Sequence, residues 1–166
     1  MIRRLHHNAY RCRDSEETRR FYEGFLGLRL AGTLEIKETM SGRKTETLHT
    51  FYQLGDGSYL AFFEAPDMPF EFKKQHDYDL HIALEVDERT LEAMLAKGRK
   101  AGVETRGVSD HGFIRSIYFR DPNGYVIELT AKTPGHAREM DPAVNGAREK
   151  LERWTAAKRR KPAAVG

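Results

Sequence analysis

Residues 1 to about 130 run through the same order of predicted elements twice, and a duplicated order restricts the fold more than any single motif does. The first pass opens with a strand, "LHHNAYRCR". A helix follows, "SEETRRFYEGFLG", with Asp14 or Ser15 placed to cap it, Glu17 three residues after Asp14, and Gly27 to stop it. Three strand-like pieces come next, "LRLAGTLEIKET", "TLHTFYQL" and "SYLAFFEAP", with "GDG" as a tight turn before the third. The second pass opens at "DLHIALEV" and continues with the helix "ERTLEAMLAKGRKAG", whose apolar stripe is Leu91, Met94 and Leu95. It ends with "VETRGV", "RSIYFR" and "GYVIELT", the last two joined by the turn "DPNG". Each half therefore reads β-α-β-β-β.

The final strand poses a chemical question. Tyr125, Val126, Ile127 and Leu129 suit burial, yet Glu128 stands among them. A buried carboxylate costs several kcal/mol unless it is paired or binds a cation. Side chains alternate across a strand, so parity sorts its neighbours. His81 shares a face with Ala83 and Glu85, Glu128 with Val126 and Thr130, and Tyr118 with Ser116 and Arg120. His81, Tyr118 and Glu128 thus occupy the mixed faces of their strands. In the first half, His7 matches His81 by its distance from the following helix cap, with His6 as the alternative. Glu64 ends its strand much as Glu128 does. Arg11 and Arg120, inward by the same parity, suit an anionic substrate. Two histidines with one carboxylate form a facial set for a divalent metal.

Composition sets the outer bounds. Of 166 residues, 39% are hydrophobic and 32% charged, as in a soluble globular protein, and no apolar run is long enough for a membrane span. The N-terminus develops no apolar signal core, and Cys12 is the only cysteine, which excludes an internal disulfide and fits a cytoplasmic protein. Cys12 reads as a packing residue. The net charge of +3 comes largely from the tail "REKLERWTAAKRRKPAAVG", and elsewhere charges of both signs alternate, so nucleic-acid binding is not expected. Ala143 to Arg160 reads as a charged helix with Pro142 in its first turn and an edge of Leu151 and Trp154 that docks on its own domain.

The stretches "HNAYRCRDSEETRRFYEGFLGL", "HIALEV" and "SIYFRDPNGYVIEL" resemble the vicinal oxygen chelate superfamily, which holds glyoxalase I, extradiol ring-cleaving dioxygenases and the bleomycin and fosfomycin resistance proteins. The match runs from about Leu5 to Thr130. The resemblance implies an α+β fold of paired βαβββ modules forming a cupped half-barrel around one divalent metal. Residues 1–132 would be that domain, with module one at about 1–66, module two at about 78–132, and 133–166 a C-terminal helical extension. It implies His7, His81 and Glu128 as metal ligands, with Glu64 as a fourth where the glyoxalase pattern applies.

Two activities follow from the resemblance. "DHGFIRSIYFRDPNGYVIE" is similar to the extradiol dioxygenase signature, in which His111 and Tyr118 would hydrogen-bond substrate and oxygen. The chain departs from it at Ser109, and at Pro66, where an acid-base histidine usually stands. That reading implies Fe(II) or Mn(II) and cleavage of a catechol-type ring with dioxygen. The alternative is a glyoxalase-type isomerase with Ni(II) or Zn(II) and Glu64 as ligand and base. A third possibility is a resistance-type protein that sequesters a small molecule without turnover. Relatives often dimerise through swapped or edge-paired modules, so a homodimer is expected.

Overall fold

Each half of the repeat builds one four-stranded sheet, and the two sheets share one strand order. In the computed structural model, β1 (Tyr10–Arg11), β2 (Arg29–Glu38), β3 (Lys44–Gln53) and β4 (Tyr59–Glu64) lie in the order β1-β4-β3-β2. Strands β5 (His81–Glu85), β6 (Thr105–Asp110), β7 (Ile114–Arg120) and β8 (Val126–Lys132) repeat it as β5-β8-β7-β6. In the first sheet β1 and β4 are parallel and the other neighbours antiparallel. The fold is α+β, and the predicted βαβββ unit occurs twice. Residues 1–72 and 76–160 are described; Lys73, Lys74 and Gln75, between the two predicted modules, and residues 161–166 of the basic tail lie outside them.

Chain contacts divide the molecule into two compact units, Met1–Ile82 with Phe119–Ile127, and Ala83–Tyr118 with the residues from Glu128 onward. In the first unit, α1 (Ser15–Arg19) starts at Asp14, whose carboxylate accepts a hydrogen bond from the Glu17 amide at 2.7 Å. It continues as a π-helical turn, Arg20–Phe25, in which the Leu26 amide reaches back to the Phe21 carbonyl. Phe21, Tyr22 and Phe25 are all buried there. Tyr22 packs 4.6 Å from Phe62 and 5.5 Å from Tyr52, ring centre to ring centre. Cys12 lies in this core, and burial raises its thiol pKa, so it acts as a packing residue.

The "DPNG" turn closes the same unit with buried polar contacts. Asp121 accepts from the Tyr22 hydroxyl, the Asn123 amide and side chain, and the Tyr125 amide, at 2.8–3.1 Å. Asn123 in turn donates to Thr18 Oγ1 and accepts from the Arg13 amide. Burial pushes the Asp121 carboxyl pKa up, against these donors, which favour its ionised form.

Three expectations change. The first strand of the repeat is ordered as a ladder only at Tyr10–Arg11, preceded by a single bridge from His7 to Tyr59. Between them the Asn8 side chain, not the backbone, accepts the Ala61 amide, which interrupts the ladder. At the other end, α4 spans Ala147–Arg160, after a short α3 (His136–Glu139), and Pro142 precedes it rather than sitting in its first turn. Asp141 and Asn145 take the Ala143 and Ala147 amides on their side chains, so the chain turns before it winds. Leu151 and Trp154 remain 66% and 64% exposed, so the expected docking edge is not buried. Among the described residues no helix is long and apolar enough to cross a membrane. The helix of the second unit, α2 (Glu88–Lys100), starts at Asp87, whose carboxylate accepts the Thr90 amide at 2.6 Å, and it buries Leu91 as predicted.

Candidate functional site

The register of the two sheets relates the predicted site residues. The Cys12 amide donates to the Phe63 carbonyl and the Val86 amide to the Thr130 carbonyl, each at 2.9 Å. These bonds occupy corresponding places in the two modules. Counting back from them, His7 corresponds to His81, and the counterpart of Glu128 is Ala61. By the same count Glu64 corresponds to Ala131. It is bound locally, since its carboxylate accepts the Ser15 amide at the start of α1 at 2.7 Å.

In the second unit Glu128 is buried, 5% exposed, on the same face of the sheet as Tyr118. Burial first, and then the neighbouring Glu128 carboxylate, which the phenol hydrogen-bonds, hold the Tyr118 pKa above its ordinary value. The His111 Nε2 lies 3.0 Å from the Tyr118 hydroxyl. A phenol has one proton to give. With that proton on Glu128, the phenol oxygen accepts from Nε2–H, and His111, Tyr118 and Glu128 form one directed chain. Arg106 adds a cation, its guanidinium carbon 5.6 Å from the centre of the Tyr118 ring. Ser116 and Thr130 join the same face through a 3.2 Å hydroxyl contact. Glu128 thus sits within a polar face of an otherwise apolar strand.

The first unit holds the early histidines. His6 and His7 approach through their Nδ1 atoms at 2.8 Å, and both are exposed. His7 lies 5.9 Å from His49 and 5.6 Å from Phe51, ring to ring. His49 is buried, stacked 3.7 Å from Phe63, with Nδ1 on the Phe62 carbonyl at 2.9 Å, and burial lowers its pKa. His81 is exposed, and its Nδ1 meets the Asp77 carbonyl at 3.1 Å.

Sequence reasoning passed over Arg106 and His49. Parity along "TLHTFYQL" sets His49 with Phe51 on the His7 side of the sheet, so that signal was available. The reach of Arg106 over Tyr118 depends on the pairing of β6 with β7, which no local pattern encodes. Of the two inward arginines, Arg120 is committed to the Asp77 carboxylate at 3.2 Å and to the Gly124 carbonyl. Among the described residues no group of three or more His, Cys, Asp or Glu side chains is gathered closely enough to hold a metal ion.

Comparison with known proteins identifies the family. Residues 4–129 match the model of the glyoxalase/bleomycin resistance protein/dioxygenase superfamily. A probable lactoylglutathione lyase of Vibrio parahaemolyticus is 32% identical over 137 residues, covering 76% of this chain and 88% of that protein. A putative ring-cleaving dioxygenase of Bacillus subtilis, MhqA, is 27% identical over 64% of this chain and 34% of its own length. Among solved structures, the fosfomycin resistance protein FosX of Listeria monocytogenes, in complex with Mn(II) and sulfate, superimposes with a TM-score of 0.62 at 21% identity, covering 82% of this chain and 98% of FosX. This chain belongs to the glyoxalase/bleomycin resistance protein/dioxygenase superfamily.

Proposed function

We propose that the chain is a divalent-metal-dependent enzyme that cleaves a catechol-type ring with dioxygen. The observation that carries this reading is the hydrogen-bonded series His111, Tyr118 and Glu128. The proposed metal ligands are His7, His81 and Glu128. As donors they suit Fe(II) or Mn(II) in kind. His7 and His81 belong to one compact unit and Glu128 to the other. When bound, the cation supplies Lewis-acid charge to two neighbouring substrate oxygens.

The residues do the rest. Tyr118 keeps its proton and can turn it from the Glu128 carboxylate to a substrate oxygen that carries developing negative charge. His111, donating Nε2–H to the phenol oxygen, can replace that proton when it passes to substrate. Arg106 above the phenol ring favours an anionic substrate at that face.

A second reading, glyoxalase-type isomerisation, is favoured by relatives named lactoylglutathione lyase. It takes Ni(II) or Zn(II), with Glu64 as a fourth ligand. Counting from the Cys12–Phe63 and Val86–Thr130 bonds matches Glu128 with Ala61, which supports the first reading over this one.

One set of assays on purified protein separates the readings. Fe(II)-loaded protein is expected to consume oxygen with a panel of catechols, and Tyr118→Phe and His111→Gln to lower kcat by roughly 10²-fold or more. Hemithioacetal turnover with Ni(II) or Zn(II), and no catechol-dependent oxygen uptake, would replace this reading with the second. Stoichiometric ligand binding with turnover of neither substrate class would leave a sequestering protein.

A further inference from the structure

The first unit contains a cavity that the metal chemistry does not use. It has a volume of about 250 Å³ and is walled by Pro69, Phe70, Phe72, Leu80 and Tyr125, with Arg11 and Glu71 as its charged members. Phe72 meets Tyr125 edge-on at 5.3 Å. Gly124 admits this ring: a Cβ there would stand 3.0 Å from Phe72, on a backbone with φ of +100°.

Arg11 is the unusual wall residue. One terminal nitrogen, Nη2, donates to the Met68 and Ala65 carbonyls, which fixes the guanidinium in place. The Tyr125 hydroxyl donates to the Arg11 carbonyl at 2.9 Å and ties its backbone to the same wall. The Nε–H is enclosed with no acceptor, and Arg11 forms no ion pair with a carboxylate among the described residues. Its inward counterpart Arg120 has Asp77. A partly buried guanidinium without a counter-charge is costly unless an anion reaches it.

We propose that this cavity binds a small aromatic monocarboxylate, with its carboxylate on Arg11 and its ring between Phe70, Phe72, Leu80 and Tyr125. The chemistry selects that class in three steps. A fixed guanidinium matches a planar carboxylate better than it matches a neutral group. Apolar and aromatic walls reject hydrated phosphate or sulfate, which would lose water there without compensation. Exposed Glu71 at the lining disfavours a dianion. The volume lies below the range of pockets for drug-sized ligands, so it admits one ring rather than two. The proposal is independent of the ring-cleavage reading.

Benzoate is the probe, and benzamide its neutral counterpart of the same shape. Calorimetric or NMR titration of the full chain is expected to give benzoate binding at about 1 mM or tighter, and benzamide binding at least about tenfold weaker. Arg11→Gln and Leu80→Trp, the second filling the cavity while leaving Arg11 intact, should each weaken benzoate at least about tenfold. Glu128→Gln should leave it unchanged. Leu80→Trp decides alone should Arg11→Gln fail to fold. Equal affinity for benzamide and benzoate, binding that survives Leu80→Trp, or no binding at 10-fold the expected concentration overturns the proposal. Loss of benzoate binding in Glu128→Gln with retention in Leu80→Trp assigns the carboxylate to the metal centre and also overturns it. Neither result bears on catechol cleavage.

Discussion

Replacing Tyr22 by Phe removes one oxygen from a fully buried ring and leaves the ring's packing against Phe62 and Tyr52 unchanged. The lost contact is the 2.9 Å hydrogen bond to Asp121, an interaction with a carboxylate in a buried setting. Hydrogen bonds to charged groups contribute about 1.5–3 kcal/mol, so Tyr22→Phe should cost about 2 kcal/mol. For a chain of this length that corresponds to a fall in Tm of roughly 4–8 °C. Asp121→Ala removes the acceptor for Tyr22, for two groups of Asn123 and for the Tyr125 amide at once, and should cost about 4 kcal/mol. In the double variant the Tyr22 change has little left to remove. Denaturant unfolding of the two single variants and the double variant should therefore give a coupling energy of about 1.5–2 kcal/mol. A coupling below about 0.5 kcal/mol, or a Tyr22→Phe variant as stable as the parent, would refute the assignment of this contact as a principal tie between helix and turn.

Other outcomes follow from single features. Hydrogen bonds from Arg19 and Arg20 hold the Glu16 carboxyl at about 2, below its ordinary 4.5, so their support of α1 is present above pH 4.5 and is lost as pH falls toward 2. Amide exchange in α1 should accelerate over that window in the parent and show no such window in Glu16→Gln. Gly107→Ala places a Cβ 2.7 Å from the Ser116 carbonyl, on a backbone with φ of +112°, and should destabilise by about 3 kcal/mol or more in denaturant unfolding. Trp154→Ala, on an exposed stretch of α4, should change stability by less than about 0.5 kcal/mol, and a larger loss would mean that the indole is covered in solution.

The duplicated element order was readable because its signals are local. Asp14 and Asp87 cap their helices through backbone amides three residues on, and Asp121 and Gly124 shape a turn within four residues. Parity also worked for β7 and β8, since Tyr118 and Glu128 do share a face. The failures have a different physical origin. Asn8 interrupts β1 because its amide side chain competes for a ladder bond, a choice made by the partner strand. The likeness of Glu64 to Glu128 rested on both ending a strand. The register, counted from bonds that join residues 51 and 44 apart in sequence, matches Glu64 with Ala131, and the Glu64 carboxylate accepts the Ser15 amide. The exposed edge of α4 was misread because a pair of apolar residues says that a surface can be covered, not that it is.

The turn at residues 119–127 belongs to the compact unit built on Met1–Ile82, although it is encoded near the end of the second repeat. A ribosome making this chain releases Tyr22, Thr18 and Arg13 long before it supplies the Asp121 and Asn123 that bind them. The first repeat must therefore wait, with its buried tyrosine hydroxyl unmet, until most of the second has been translated. Cutting the gene between the repeats would not yield two self-sufficient halves: the upstream product would lack nine residues that complete its own interior.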